Sequence, residues 1–131
     1  MTQDEYQEVS RSSYMKHNGG MQFRKISDTQ FQFKTTIQEI HLNTVGITHG
    51  GYIMSLLDSG MGTSAYRSLD GEKRIATISL DVKFMAASTS GDTLHGTATI
   101  LRKTRSLIFV QGLIHSGDTC IASAEGIWKI L

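Results

Sequence analysis

Asp58 is the only charged residue between Gly50 and Tyr66, in a segment otherwise built from apolar and small side chains. If that segment is helical, the neighbours of Asp58 at i−4, i+3 and i+4 are Met54, Met61 and Gly62, so its own helix offers it no cation. A carboxylate in such a place is costly unless it is hydrogen-bonded, paired or used. Apolar surroundings also suit a carboxyl to general-base work. The alternative is a structural carboxylate bonded to the backbone of a neighbouring segment. Gly50-Gly51 opens the same segment. Each glycine costs a helix about 1 kcal/mol relative to alanine. The first turn of a helix, however, carries amide N–H groups without partners and a partial positive charge. With no side chain in the way, those amides could receive a carbonyl oxygen and hold the oxyanion formed on attack. The competing account is that the glycines only allow close packing against a sheet. His49, just before them, has the residue type of a base but equally that of a loop-shaping hydrogen bonder.

These groups need elements to position them. Thr2 to His17 reads as a helix, with Asp4 and Glu5 in its first turn and Lys16 and His17 in its last, and Asn18-Gly19-Gly20 stops it. From Met21 to Ile37 the pattern becomes apolar-polar alternation, with Phe31, Phe33, Thr35 and Ile37 on one strand face. His41 to His49 is a loop, and Gly50 to Arg67 is the central helix. Its stripe of Ile53, Leu56, Leu57, Gly60, Met61 and Ser64, extended by Met54 and Ala65, belongs inside a fold. Asp70-Gly71 marks a turn. Four strands follow, over 74–84, 92–101, 106–116 and 119–131, joined by short connections that imply an antiparallel sheet. Ala76, Ile78, Leu80, Val82 and Phe84 are expected on one face of the first; Ala122, Ala124, Gly126, Trp128 and Ile130 share a face of the last. The expectation is one α+β domain over 1–131, a sheet wrapped on a buried helix, with residues 1–20 as a helical extension.

Composition narrows the function classes. The 131 residues are 39% hydrophobic and 19% charged, an ordinary globular balance, and the net charge of +1 gives no field for nucleic acid or an anionic membrane. Cys120 is the one cysteine, so no internal disulfide forms, and no Cys/His spacing suggests zinc. Its surroundings give no reason for a reactive thiol. Met1 to Glu5 does not read as a signal peptide, and no apolar run is long enough to span a bilayer, so a cytoplasmic location is expected. The chain has 13 glycines and no proline, so tight turns fall to glycine.

Asn43, Gly46, His49-Gly50-Gly51 and Asp58 together resemble the signature of the hotdog-fold thioesterase superfamily, in its PaaI-like and thioesterase-superfamily-member branch. The resemblance runs from about Phe31 to Leu131, through Thr77–Phe84, Gly91-Asp92, the Arg102–Phe109 hairpin and the alanine-rich last strand. It implies a hotdog fold and an acyl-CoA thioesterase. It also implies a homodimer with one continuous sheet and two active sites at the interface, often paired into a tetramer. By resemblance, Gly50 supplies the N–H that polarises the thioester carbonyl, and Asp58, from the partner subunit, activates water or attacks directly. Asn43 orients the water or the thioester. Thr77 hydrogen-bonds near the aspartate, Gly51 lies at the substrate, and His49 is a lesser catalytic candidate. Coenzyme A carries phosphates, for which Arg102, Lys103 and Arg105 on one hairpin are candidates, with Arg67, Lys73 and Arg74 flanking the exit of the central helix. No metal or redox cofactor is expected; coenzyme A is part of the substrate. His17, His41, His95 and His115 read as ordinary surface or core residues. Many relatives carry a proline after the strand ending at Phe84, whereas this chain has Met85-Ala86-Ala87-Ser88, which leaves the acyl pocket's shape open. Two rival readings remain: a non-catalytic acyl-CoA or small-ligand binder on the same fold, and a hydroxyacyl-thioester dehydratase. The dehydratase is disfavoured because its His-plus-acid arrangement is absent.

Overall fold

The structure, a computed structural model, describes residues 5–71 and 73–131. In chain order the elements are β1 (Gln7–Glu8), α1 (Ser13–His17), β2 (Gln22–Lys25), β3 (Gln30–Thr36) and a 3₁₀ turn (Glu39–His41). Then come α2 (Gly50–Arg67), β4 (Ile75–Phe84), β5 (Thr93–Lys103), β6 (Leu107–Ser116) and β7 (Thr119–Ile130). The strands form one antiparallel sheet in the order β1-β2-β3-β5-β6-β7-β4. The sheet curves around α2, and this is a hotdog fold.

The alternating pattern of β3 places Phe31, Phe33 and Thr35 inward, all buried, with Ile37 just beyond the strand. Across the sheet Ile108, Val110, Ile114, Ala122, Ala124 and Trp128 complete the concave face. The expected stripe of α2 lies on it: Ile53, Leu56, Leu57, Gly60, Met61 and Ser64 are all buried. Seating depends on two glycines. A Cβ on Gly60 would lie 2.6 Å from the Phe33 ring, and one on Gly96 of β5 would lie 2.2 Å from it. The ring fills the space left by two absent side chains, so helix and sheet approach closely at that level.

Two expectations need correction. The helix read over Thr2–His17 is only the five residues Ser13–His17, while Gln7–Glu8 pairs as a strand with β2. Thr2 to Asp4 lie outside the described residues. Locally, Ser10 and Ser12 are weaker helix formers than alanine, and the Glu8 carboxylate accepts from the Ser10 N–H at 2.8 Å and the Met21 N–H at 3.1 Å. That side chain ties the chain to β2 instead of capping a helix. Nor do Ala76, Ile78, Leu80, Val82 and Phe84 share one core face. A register shift between Thr77 and Ser79 interrupts β4, and bulges flip the side-chain alternation. Ile75, Leu80 and Val82 pack on the core, whereas Ile78 and Phe84 are 54% and 52% exposed. β4 is also an edge strand, with β7 as its neighbour on one side only. Among the described residues, no helix is long and apolar enough to cross a membrane.

Candidate active site

The site begins at the tip of α2, where the amides divide unequally. His49 is the N-cap, and its Nδ1 accepts from the Gly51 N–H at 2.8 Å. The His49 carbonyl accepts from Tyr52 at 2.9 Å and from Ile53 at 3.2 Å. Among the described residues the Gly50 N–H has no hydrogen-bond partner. One free donor thus remains at the positive end of the helix dipole. The two glycines also differ sterically. A Cβ on Gly51 would sit 2.9 Å from His49 Nδ1, so that glycine makes room for the cap, whereas a Cβ on Gly50 would meet only the Phe84 ring, at 3.5 Å. Neither packs against the sheet's core face.

The loop before the helix is held from within. Asn43 Oδ1 accepts from the N–H of Val45 at 3.1 Å and of Ile47 at 3.2 Å, and Leu42 and Thr48 form an isolated bridge. His41 is the buried post beneath it. Its Nδ1 accepts from the Gln38 N–H at 2.9 Å, its Nε2 is 2.6 Å from the Asn18 carbonyl, and its ring stacks on Tyr52 at 3.9 Å. Its own carbonyl receives the His49 N–H at 2.8 Å. The sequence pattern gave His41 no partner because two of its contacts are backbone groups of Gln38 and Asn18, which any residue type supplies, and the third is a ring on another element.

Asp58 stands two turns further along α2, half-buried. Thr77 Oγ1 donates to Asp58 Oδ1 at 2.7 Å, linking the helix to β4. The carboxylate opens into a cavity of about 1130 Å³ between α2 and β4. Ser59, Gly62, Thr63 and Tyr66 continue the helical wall; Trp128, Ile75 and Leu131 add sheet residues; and residues 9–15 close the far side. Eight residues of helix separate Gly50 from Asp58, about 12 Å at 1.5 Å per residue, and Gly50 does not line this cavity. Within one chain the free amide and the carboxylate therefore belong to different surfaces.

The cations sort differently from expectation. Lys73 and Arg74 do flank the helix exit and line the Asp58 cavity, joined by Arg11, which sequence reasoning did not single out. Arg102, Lys103 and Arg105 do not line it. Lys103 Nζ instead donates to the Ser68 carbonyl at 2.6 Å, capping the C-terminal end of α2. The Arg67 guanidinium lies 4.9 Å from the Phe23 ring centroid. Tyr14, Met15 and Trp128 were also missed as site residues. Trp128 reads as core, and the N-terminal segment reaches the site only through a fold that no local pattern reveals. Among the described residues, no group of three His, Cys, Asp or Glu side chains could hold a metal ion.

With this geometry in place, comparison with known proteins decides the family, because residues 45–121 match the model of the thioesterase superfamily. The chain belongs to that superfamily. It is 28% identical over 126 residues to "Putative esterase PA0474" of Pseudomonas aeruginosa, covering 95% of this chain and 94% of that protein. The PaaI protein from the phenylacetic acid degradation operon of E. coli shares the fold, with a TM-score of 0.80, 17% identity and coverage of 88% of this chain and 82% of that one. So does the BH2602 protein of Bacillus halodurans, whose crystal structure contains CoA, with a TM-score of 0.73, 23% identity and coverage of 78% and 68%. Membership of this superfamily supports thioester hydrolysis as the general class of activity.

Proposed function

We propose that this thioesterase-superfamily chain is an acyl-CoA thioesterase, working as a homodimer that itself pairs into a tetramer. The observation that carries the reading is the separation of Asp58 and the free Gly50 amide on one helix. A second copy, related by a two-fold axis, can bring the partner subunit's Gly50 opposite Asp58 and build two identical sites. An apolar belt of suitable position supports that pairing: Ile78, Phe84 and Met85 on and after the edge strand, and Val45 and Ile47 in the loop before α2, are all exposed.

In the proposed reaction, Asp58 takes a proton from water as its oxygen attacks the thioester carbon. The partner subunit's Gly50 amide holds the developing oxyanion. Collapse of the adduct breaks the C–S bond, and the departing thiolate takes up the proton, giving free acid and coenzyme A. Thr77 keeps the carboxylate aimed. Asn43 faces the thioester or water with its amide nitrogen, since its oxygen holds the loop. His49 contributes by capping, and Gly51 by giving it room. Coenzyme A is chosen as the thiol because the related BH2602 structure contains CoA and because the cavity rim carries Arg11, Lys73 and Arg74. Arg102 and Arg105 would meet the phosphates only from beyond this cavity. The step as written uses no metal or redox group.

Asp58→Asn tests the assignment with little change of shape. Thiol release from acyl-CoA should fall by about 10²–10⁴-fold while the melting curve and elution volume hold. Wild-type turnover in the variant would end the proposed role. Tight acyl-CoA binding by the wild type without thiol release would make the chain a binder.

A further inference from the structure

The family match begins at residue 45, yet a whole wall of the Asp58 cavity comes from residues 9–15. That segment lies over the face of α2 that carries Asp58, Gly62 and Tyr66, at i, i+4 and i+8. It is anchored at three points. Val9 N–H donates to the Met21 carbonyl at 3.2 Å, and Gly20 N–H donates to the Met15 carbonyl at 2.7 Å. Between them Tyr14 Oη is 3.0 Å from Ser55 Oγ on α2 itself. Ser13 takes φ +67°, and it is the only non-glycine with positive φ among the described residues. Backbone of this kind is strained and persists only where its surroundings impose it. Val9 and Met15 point inward and pack against the core. The segment is a built wall, not a tail lying on the surface.

We infer that residues 9–15 set the acyl specificity of the Asp58 cavity and, with Tyr66 and Trp128, select a bulky apolar acyl group over acetyl. The inference rests on the thioesterase reading. Its grounds are size and lining. The space in one chain, about 1130 Å³ and open to one side, exceeds the roughly 300–1,000 Å³ that holds a drug-sized ligand, so an acetyl group would leave most of it empty. Val9, Met15, Met21, Ile75, Trp128 and Leu131 contribute apolar side chains to the lining that holds the Asp58 carboxylate, among polar ones such as Ser12, Arg11, Lys73 and Arg74. Met15 and Asp58 both line the cavity, so a bulkier side chain at position 15 narrows it.

The experiment measures kcat/KM by thiol release for acetyl-, octanoyl- and phenylacetyl-CoA, in the wild type and in Met15→Trp and Tyr14→Ala. The wild type should favour octanoyl- or phenylacetyl-CoA over acetyl-CoA by at least about tenfold, since one methylene alone is worth roughly 10–200-fold in such a pocket. Which of the two it favours tells chain from ring. Met15→Trp should lower the bulky-to-acetyl ratio by about tenfold or more, mainly through KM. Tyr14→Ala, a change at a side chain 60% exposed, should lower it in the same direction by unlatching the wall. Should Met15→Trp lose its melting transition, the Tyr14 variant decides alone. A wild type that prefers acetyl-CoA, or a ratio that moves less than twofold in the folded variants, overturns the inference. Failure to hydrolyse any of the three would instead remove the thioesterase reading beneath it.

Discussion

The two glycines at the tip of α2 allow a paired perturbation whose outcomes oppose each other. In Gly51→Ala the new Cβ falls 2.9 Å from His49 Nδ1, so the ring must move and the cap is lost. Loss of a cap typically costs about 1 kcal/mol, against a propensity gain of at most about 1 kcal/mol, so at that cost stability falls or holds. In Gly50→Ala the methyl meets the Phe84 ring at an ordinary 3.5 Å, and no positive φ opposes it. Only the propensity gain remains. For a domain of this size that is at most a rise of roughly 3–5 °C in Tm. Turnover should move the other way, because the methyl crowds the one unpaired amide. A displacement of the carbonyl by about 1 Å is worth roughly 10² in rate. Thermal melts and thiol release on both variants read the two effects separately. If Gly50→Ala keeps kcat within twofold of wild type, that amide is not the oxyanion donor. If it melts lower, as Gly51→Ala is free to do, the glycine is structural and the reasoning fails.

Two further perturbations have equally definite signs. Thr77→Val removes the hydroxyl that donates to Asp58 at 2.7 Å and keeps the shape. A bond worth about 1 kcal/mol predicts a fall in kcat of roughly 5–10-fold, with Thr77→Ser restoring it; equal kinetics for Val and Ser would refute the role. For His95, burial first and then the nearby Lys34 and Arg24 charges hold the imidazole below its ordinary 6.5. The native state thus resists a proton that the unfolded chain accepts below about that pH, so stability is lost on acidification through this window. His95→Gln should gain stability relative to wild type in urea melts at pH 5 but not at pH 8, and a constant difference would exclude this linkage.

The architecture was readable where one rule governed the segment. The i, i+3, i+4 stripe of α2 and the alternation of β3 and β7 place the same residues in the core. Reading failed where two tendencies competed. Residues 5–17 carry helix-compatible charges, but the Glu8 side chain finds backbone donors on the other side of a turn. In β4 the alternation was real, yet a shift between Thr77 and Ser79 re-aimed half of it. At the site, Asp58 and Gly50 stood out through cost, a charge and a glycine where a helix wants neither. Lys103 did not, because a lysine on a hairpin carries no mark saying whether it will cap a helix or await a phosphate. Met15 and Tyr14 were hidden for the same reason: distance in sequence, not chemistry, separates them from Asp58.

The spacing of Gly50 and Asp58 along one rigid rod also has a genetic meaning under the proposed dimer. Each catalytic pair would draw one member from either parent chain, so a protomer damaged at the tip and another damaged at the acid can lend each other what they lack. Refolded together in equal amounts, inactive Gly50→Ala and Asp58→Asn chains would recover about a quarter of the wild-type sites, because half of the random pairings are mixed and each mixed pair regains one site.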